Sequence, residues 1–190
     1  MAGMSTGSLV IVAVAVLVGG WGVLTYNRLV ALRQRVREGW SGIDVQLKRR
    51  ADLIPNLVNT VKGYAQHERG VLEAVTEQRA RVQAAAGDSP AARQAAESGL
   101  SAALTRLFAV AENYPELKAD GNFVELQQTL GDLENQIQMA RRYYNGTVRD
   151  MNTLIETFPS NLIAGWFRFE LREYFEIEQA GDRALPNVSF

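Results

Sequence analysis

Cysteine is absent from the 190-residue chain, and histidine occurs once, at His67. The first absence removes disulfides, thiolate nucleophiles and thiolate metal sites together. The second excludes a carboxylate-bridged di-metal bundle, which needs a Glu-x-x-His motif on each of two helices. The chain also has no phosphate-cradling glycine loop ending in Lys-Ser or Lys-Thr, no G-x-S-x-G elbow and no H-E-x-x-H. No catalytic, cofactor-binding or metal-ligating residue is therefore expected. The pair His67-Glu68 is the nearest approach to a base or a ligand set, and a solvated helix face is the expectation for it.

Charge of one sign is also lacking: 20 Lys and Arg balance 21 Asp and Glu, for a formal net charge of −1. No basic field of the kind that binds nucleic acid by releasing counterions is present. Between Met1 and Asn27 there is no charged side chain at all. Within that stretch Leu9 to Tyr26, LVIVAVAVLVGGWGVLTY, is nearly all apolar and long enough as a helix to cross roughly 27 Å of hydrocarbon. The side chains expected to face lipid are Leu9, Val10, Ile11, Val12, Val14, Val16, Leu17, Val18, Trp21, Val23, Leu24 and Tyr26. A secretory leader would carry a basic n-region and a shorter apolar stretch, so an uncleaved anchor is expected. Arg28, Arg33, Arg35, Arg37, Lys48, Arg49 and Arg50 follow the span and none precedes it. That asymmetry predicts a cytoplasmic C-terminal part. Trp21 and Tyr26 suit either the headgroup layer or a neighbouring helix, and Gly19, Gly20 and Gly22 suit close helix approach without forming G-x-x-x-G.

Beyond the span, Val36, Trp40, Ile43, Leu47, Ile54, Val58, Val61, Ala65, Leu72 and Val75 recur in helical steps, predicting one helix from the membrane to about Ala86. Pro55 falls inside it, and the unbroken apolar phase favours a kink there over a chain reversal. Gly87-Asp88-Ser89-Pro90 offers a C-cap, N-cap candidates and a first-turn proline, so a second helix is predicted from Pro90 to about Glu112. Asn113-Tyr114-Pro115 and Asp120-Gly121-Asn122 bracket a loop. From Phe123 to Phe158 the apolar residues again alternate in threes and fours, and Pro159 to Phe169, PSNLIAGWFRF, reads as a short apolar helix. Past Tyr174 the chain is acidic and without helical period; an extended or partly disordered segment is expected. With no strand-like alternation anywhere, the expected fold is all-α: a transmembrane helix followed by an antiparallel bundle of three to four long helices.

Polar residues interrupt the apolar faces at Asn56, Asn59, Gln136, Asn145 and Asn152, where they either set helix register or sit at solvated margins. Of Lys48-Arg49-Arg50 and the earlier arginines, all candidates by charge for anionic headgroups, only the arginines within about two turns of Tyr26 are close enough to reach them. Leu162, Ile163, Trp166, Phe167 and Phe169 place more apolar surface on a short segment than water normally sees, so they form either a lid over the bundle end or a docking patch for a partner, a sister subunit or the bilayer.

The run YNRLVALRQRVREGWSGIDVQLKRRADLIPNLVNTVKGYAQHE, from Tyr26 to Glu68, and RRYYNGTVRDMNTLIETFPSNLIAG, from Arg141 to Gly165, resemble the two most recognisable blocks of the LemA family. The resemblance implies an N-terminal span, a small outside N-terminus and a cytoplasmic helix bundle, and it implies no reaction. It also carries associations with magnetosome formation and with neighbouring membrane proteases. It weakens after Phe169, where Glu170 to Tyr174, ELREY, is more charged than the family pattern.

The resulting expectation is a short outer N-terminus and anchor over 1–27, a cytoplasmic helical bundle over 28–169 and an acidic tail over 170–190. The expected role is a non-enzymatic scaffold in the bacterial inner membrane that self-associates and organises or remodels it. Membrane lipid and further copies of the chain are its expected partners. The alternative is an adaptor or signalling module that binds a membrane protease or receptor.

Overall fold

A computed structural model of the chain describes residues 6–87 and 89–176. These form six helices: α1 (Thr6–Tyr64), α2 (Arg69–Ala84), α3 (Pro90–Ala111), the single turn α4 (Pro115–Lys118), α5 (Gly121–Glu156) and α6 (Ser160–Trp166). The architecture is all-α, an antiparallel bundle built mainly from α1, α2, α3 and α5.

Helix α1 has 59 residues, about 88 Å of continuous helix. Its buried side chains begin at Thr25 and recur at Leu29, Leu32, Val36, Gly39, Ile43, Leu47, Arg50, Ile54, Leu57 and Val61. The steps alternate between four and three, with two successive fours at Gly39, Ile43 and Leu47. That extra residue corrects the drift of a strict heptad and keeps one stripe facing the bundle over the whole length.

No chain reversal occurs at Pro55, through which α1 stays helical. Proline has no N–H to give the carbonyl of Ala51, four residues back. Arg79 of α2 donates its Nε–H to that carbonyl instead, at 2.9 Å. The helix predicted to reach Ala86 is divided elsewhere, at Ala65 to Glu68, where α1 turns back into α2. The Glu68 N–H donates to the Ala65 carbonyl at 3.1 Å, and the Tyr114 hydroxyl donates to the Glu68 carboxylate at 3.1 Å. Both limbs of this hairpin present apolar stripes to the same core. The period therefore passes through the turn without a visible break, and no proline or positive-φ glycine announces it.

The signals between α2 and α3 act as expected, whereas Asp120-Gly121-Asn122, read as the edge of a loop, proves to be the cap and first residues of α5. Gly87 adopts φ +91° after α2, the left-handed conformation that glycine takes without a Cβ penalty. Ser89 caps α3 by accepting from the Ala92 N–H at 3.3 Å, with Pro90 in the first turn; Asp88 lies outside the described residues. Asp120 caps α5 through the Phe123 N–H at 2.9 Å and accepts from the Tyr64 hydroxyl at 2.9 Å. Those two bonds, the Phe123 N–H foremost, hold its carboxyl below the ordinary range.

Helix α5 packs antiparallel along α1, and its backbone comes close to α1 at Gly39. A Cβ on that glycine would lie 3.1 Å from the Tyr144 Cα. Two apolar cores result. The distal one gathers Ile54, Leu57 and Val61 with Leu72 and Val75 of α2, Leu100 and Leu107 of α3, Leu117 of α4 and Phe123 of α5. The proximal one gathers Leu32, Val36, Ile43 and Leu47 with Ile137, Tyr144, Val148 and Met151 of α5 and with Phe175. Each such side chain contributes roughly 1.5 to 3 kcal/mol by leaving water, far more than helix propensity alone.

Candidate functional site at the membrane-proximal end

From Leu9 to Val18 the large apolar side chains are exposed, as are Trp21, Val23 and Leu24. A helix this long and apolar, with none of its most apolar window covered by the bundle, is of membrane-crossing length and composition. Tyr26, at its end, is half-buried and packs against Phe167 at a ring distance of 4.6 Å and Phe169 at 6.0 Å. Gly22 lies against the Ile163 side chain, whose Cδ1 would sit 3.6 Å from a Cβ at residue 22. A Cβ at Gly19 or Gly20 would meet open space.

Helix α6 thus stands beside the end of the span. The chain enters it from α5 through Thr157 to Pro159, where the Ser160 hydroxyl donates to the Thr157 carbonyl at 2.8 Å. It leaves through a Schellman reversal. The Arg168 N–H donates to the Gly165 carbonyl at 3.2 Å and the Phe169 N–H to the Ala164 carbonyl at 2.9 Å. Arg168 occupies the left-handed position of that motif, φ 54°, which glycine usually fills because a Cβ is penalised there. The five residues of the predicted patch separate into two groups. Ile163 and Phe169 face inward, Phe169 beneath the Arg33 guanidinium at 5.2 Å. Leu162 (61% exposed), Trp166 (84%) and Phe167 (53%) face out, joined by Phe158 (75%), which the sequence reading left outside the patch.

After Arg168 the chain runs back along α1 and α5 without regular secondary structure, and two asparagines of α5 hold it. Asn152 accepts from the Arg172 N–H at 2.9 Å and donates to the Arg172 carbonyl at 2.9 Å. Asn145 does the same for Phe175, at 2.9 and 3.0 Å. Seven helical residues rise about 10.5 Å, and three extended residues span about 10 Å, so the two amides match two backbone positions in register. Of the two roles open to these asparagines, setting register applies, with an extended segment rather than a helix as the partner. Phe175 is fully buried against Trp40 at 5.5 Å. Between this strap, α1 and the start of α3 opens a groove lined by Arg33, Arg37, Trp40, Leu171 and Arg172.

The basic cluster Lys48-Arg49-Arg50 divides. Lys48 and Arg49 are exposed, whereas Arg50 is 2% exposed and lies between the two apolar cores. Its Nη2 pairs with Glu97, and its Nη1 donates to Glu134 at 2.9 Å and to Ser101 Oγ at 3.2 Å. Arg93 completes the layer, with Nε 3.2 Å from Glu97 and Nη1 donating to the Val82 carbonyl at 2.7 Å. Burial pushes the Glu97 carboxyl above its ordinary range, and the Arg50 and Arg93 guanidiniums oppose that rise. The signal for this layer was phase. Arg50 falls on the stripe of Leu47, Ile54 and Leu57, and Arg93 and Glu97 precede Leu100, Leu104 and Leu107 at the same spacing.

His67 is exposed in the turn between α1 and α2. Among the described residues, no three His, Asp or Glu side chains converge where they would hold a metal ion.

An apolar helix continuous with a helical bundle, and packed at its base by α6, defines a membrane-associated helical protein. The chain belongs to the LemA family, whose model matches residues 39–190. It is 25% identical over 187 residues to magnetosome protein MamQ 2 of Paramagnetospirillum magneticum and, to the same extent, to magnetosome protein MamQ of Magnetospirillum gryphiswaldense, each covering 86% of this chain and 69% of the relative. It is 26% identical over 140 residues to protein LemA of Metamycoplasma hominis, covering 73% of this chain and 63% of that protein.

Proposed function

We propose that the protein is a non-enzymatic scaffold that self-associates in the bacterial inner membrane and organises or remodels it, with the bundle in the cytoplasm. The observation that carries this reading is the continuity of α1. Its buried stripe starts at Thr25, before the apolar run has ended, so no linker uncouples bundle from span. Any assembly of bundles then dictates the tilt and spacing of the spans, which is how a protein imposes shape on lipid. Arg28, Arg35 and Arg37 are exposed after the span and support the cytoplasmic placement. The names of the magnetosome relatives fit a role at a shaped membrane. Met139 and Tyr143, one turn apart on α5, are exposed away from the membrane and offer a lateral contact between copies. Crosslinking in native membranes tests self-association: a ladder of homo-oligomers is expected, and a strictly monomeric species at every concentration refutes it.

A second reading, an adaptor for a membrane protease or receptor, draws on the groove at Arg33, Arg37, Trp40 and Arg172, which is open to a segment of another protein. Affinity capture from solubilised membranes separates the two. A scaffold recovers chiefly itself, and an adaptor recovers a stoichiometric second protein.

A further inference from the structure

We infer that α6 is a second membrane-embedded element, seated in the leaflet next to the bundle, with Phe158, Leu162 and Trp166 in the lipid and Arg168 at the level of the phosphates. The inference rests on the span crossing the bilayer and is independent of self-association.

The register between α1 and α5 sets the depth. The two helices are antiparallel and meet at Gly39 and Tyr144. Both rise about 1.5 Å per residue, so each step along α5 beyond Tyr144 lies level with one step back along α1 from Gly39. Glu156, twelve residues past Tyr144, comes level with Asn27, the first residue after the apolar run. Glu156 is the last charged residue of α5. The next eleven residues, Thr157 to Phe167, carry no charge, and neither does α1 above Asn27. The charge-free stretch of one chain segment therefore begins where that of the other does.

Contacts fix the same level independently. Ile163 lies against Gly22 and Phe167 against Tyr26. Gly22 is one turn inside the apolar run, so the middle of α6 sits about 6 Å deeper than Tyr26. That is the depth at which interfacial helices place their apolar face, about 5 to 10 Å into the boundary between headgroups and acyl chains. Trp166, the most exposed large apolar side chain of the described residues at 84%, is of the type that prefers this layer.

Arg168 adds a cation one residue past the charge-free stretch, at a position where glycine would be unstrained. A guanidinium there meets lipid phosphates as the chain leaves the bilayer. Lipid, rather than a second copy, is the occupant because the patch is continuous with the uncovered face of the span. A bilayer that surrounds residues 9–26 of α1 on all sides also surrounds what stands beside residues 22–26.

Because the natural chain has no cysteine, single cysteines report without background. Nitroxide labels on Leu162→Cys and Trp166→Cys are compared with Leu17→Cys in the span and Arg49→Cys on the bundle, all in the full chain in phosphatidylcholine and phosphatidylglycerol vesicles. Far-UV circular dichroism confirms that each variant keeps its helices. If α6 is embedded, labels at 162 and 166 collide more with oxygen than with a nickel chelate, as at 17, with a depth parameter intermediate between those at 17 and 49. Nickel-dominated collisions, as at 49, overturn the inference. Low collision with both reagents also overturns it, because that result means a protein surface covers the patch. Loss of membrane signal at 17 would instead refute the span itself.

Discussion

The Arg79 guanidinium donates to the Ala51 carbonyl at 2.9 Å, and Ala51 is the residue whose helical partner Pro55 cannot supply. A proline is thereby accommodated in the middle of a continuous helix by a side chain from the helix packed against it.

This relationship predicts a coupled pair of substitutions. Arg79→Ala leaves the Ala51 carbonyl without a donor and should cost about 1 to 3 kcal/mol. In a Pro55→Ala background the new backbone N–H takes over, and the same Arg79→Ala change should cost much less. Thermal unfolding of the four proteins of the cycle in one detergent measures the coupling. Equal costs in both backgrounds would mean that Arg79 acts through other contacts.

Arg50 carries a pH-dependent prediction. Burial holds the Glu97 carboxyl above its ordinary value of 4.5. From that pH upward, the folded chain therefore keeps a proton that the unfolded chain has lost. Stability accordingly falls as pH rises through the window between the unfolded and folded values. Arg50→Ala removes a charge that opposes the rise, pushing the carboxyl higher and widening the window. The variant should lose about 3 to 5 kcal/mol at neutral pH, as expected when one partner of a buried pair is removed, and the deficit should shrink as the solution is made acidic. A deficit that stays constant or grows toward low pH in denaturant titrations contradicts the assignment.

The asparagine clamps predict a local effect. Asn152→Ala and Asn145→Ala each remove two hydrogen bonds to the strap, at about 0.5 to 1.5 kcal/mol apiece. Amide exchange at Arg172 and Phe175 should rise by more than tenfold in the double variant, since about 1.4 kcal/mol corresponds to each factor of ten. Exchange in the distal core should be unchanged.

The close approach of α1 and α5 predicts opposite outcomes at two nearby glycines. Gly39→Leu forces a side chain against the Tyr144 backbone and should destabilise by about 1 to 3 kcal/mol. At Gly42 a Cβ would meet open space, and Gly42→Ala should stabilise by about 0.5 to 1 kcal/mol through helix propensity. Melting temperatures of the two variants decide it.

The all-α architecture, the apolar run and the cap at Ser89 were legible because each is written in local residue types. The turn at Ala65 to Glu68 was not, because apolar spacing reports which face is buried and not which way the chain runs. The one-turn α4 sits between turn signals too close together to leave a period. Arg50, Arg93 and Glu97 were hidden by the ordinary assumption that charges are solvated, although their phase placed them on buried stripes. The strap was illegible for another reason. Asn145 and Asn152 recognise backbone, so nothing in the side chains of Arg172 to Phe175 announces their partner. The aromatic segment after Pro159 stood out by composition, but its depth beside Gly22 and Tyr26 depends on the pairing of two helices more than a hundred residues apart in sequence.

The account turns on α1 crossing the bilayer with the bundle on the basic-flanked side, and a membrane-impermeant maleimide applied to intact cells tests that most directly. With Ala2→Cys and Arg49→Cys as separate single-cysteine variants, the cysteine at position 2 should label in intact cells and the one at position 49 only after lysis. Labelling of position 49 from outside, or release of the unlabelled protein from membranes by alkaline carbonate, would contradict it.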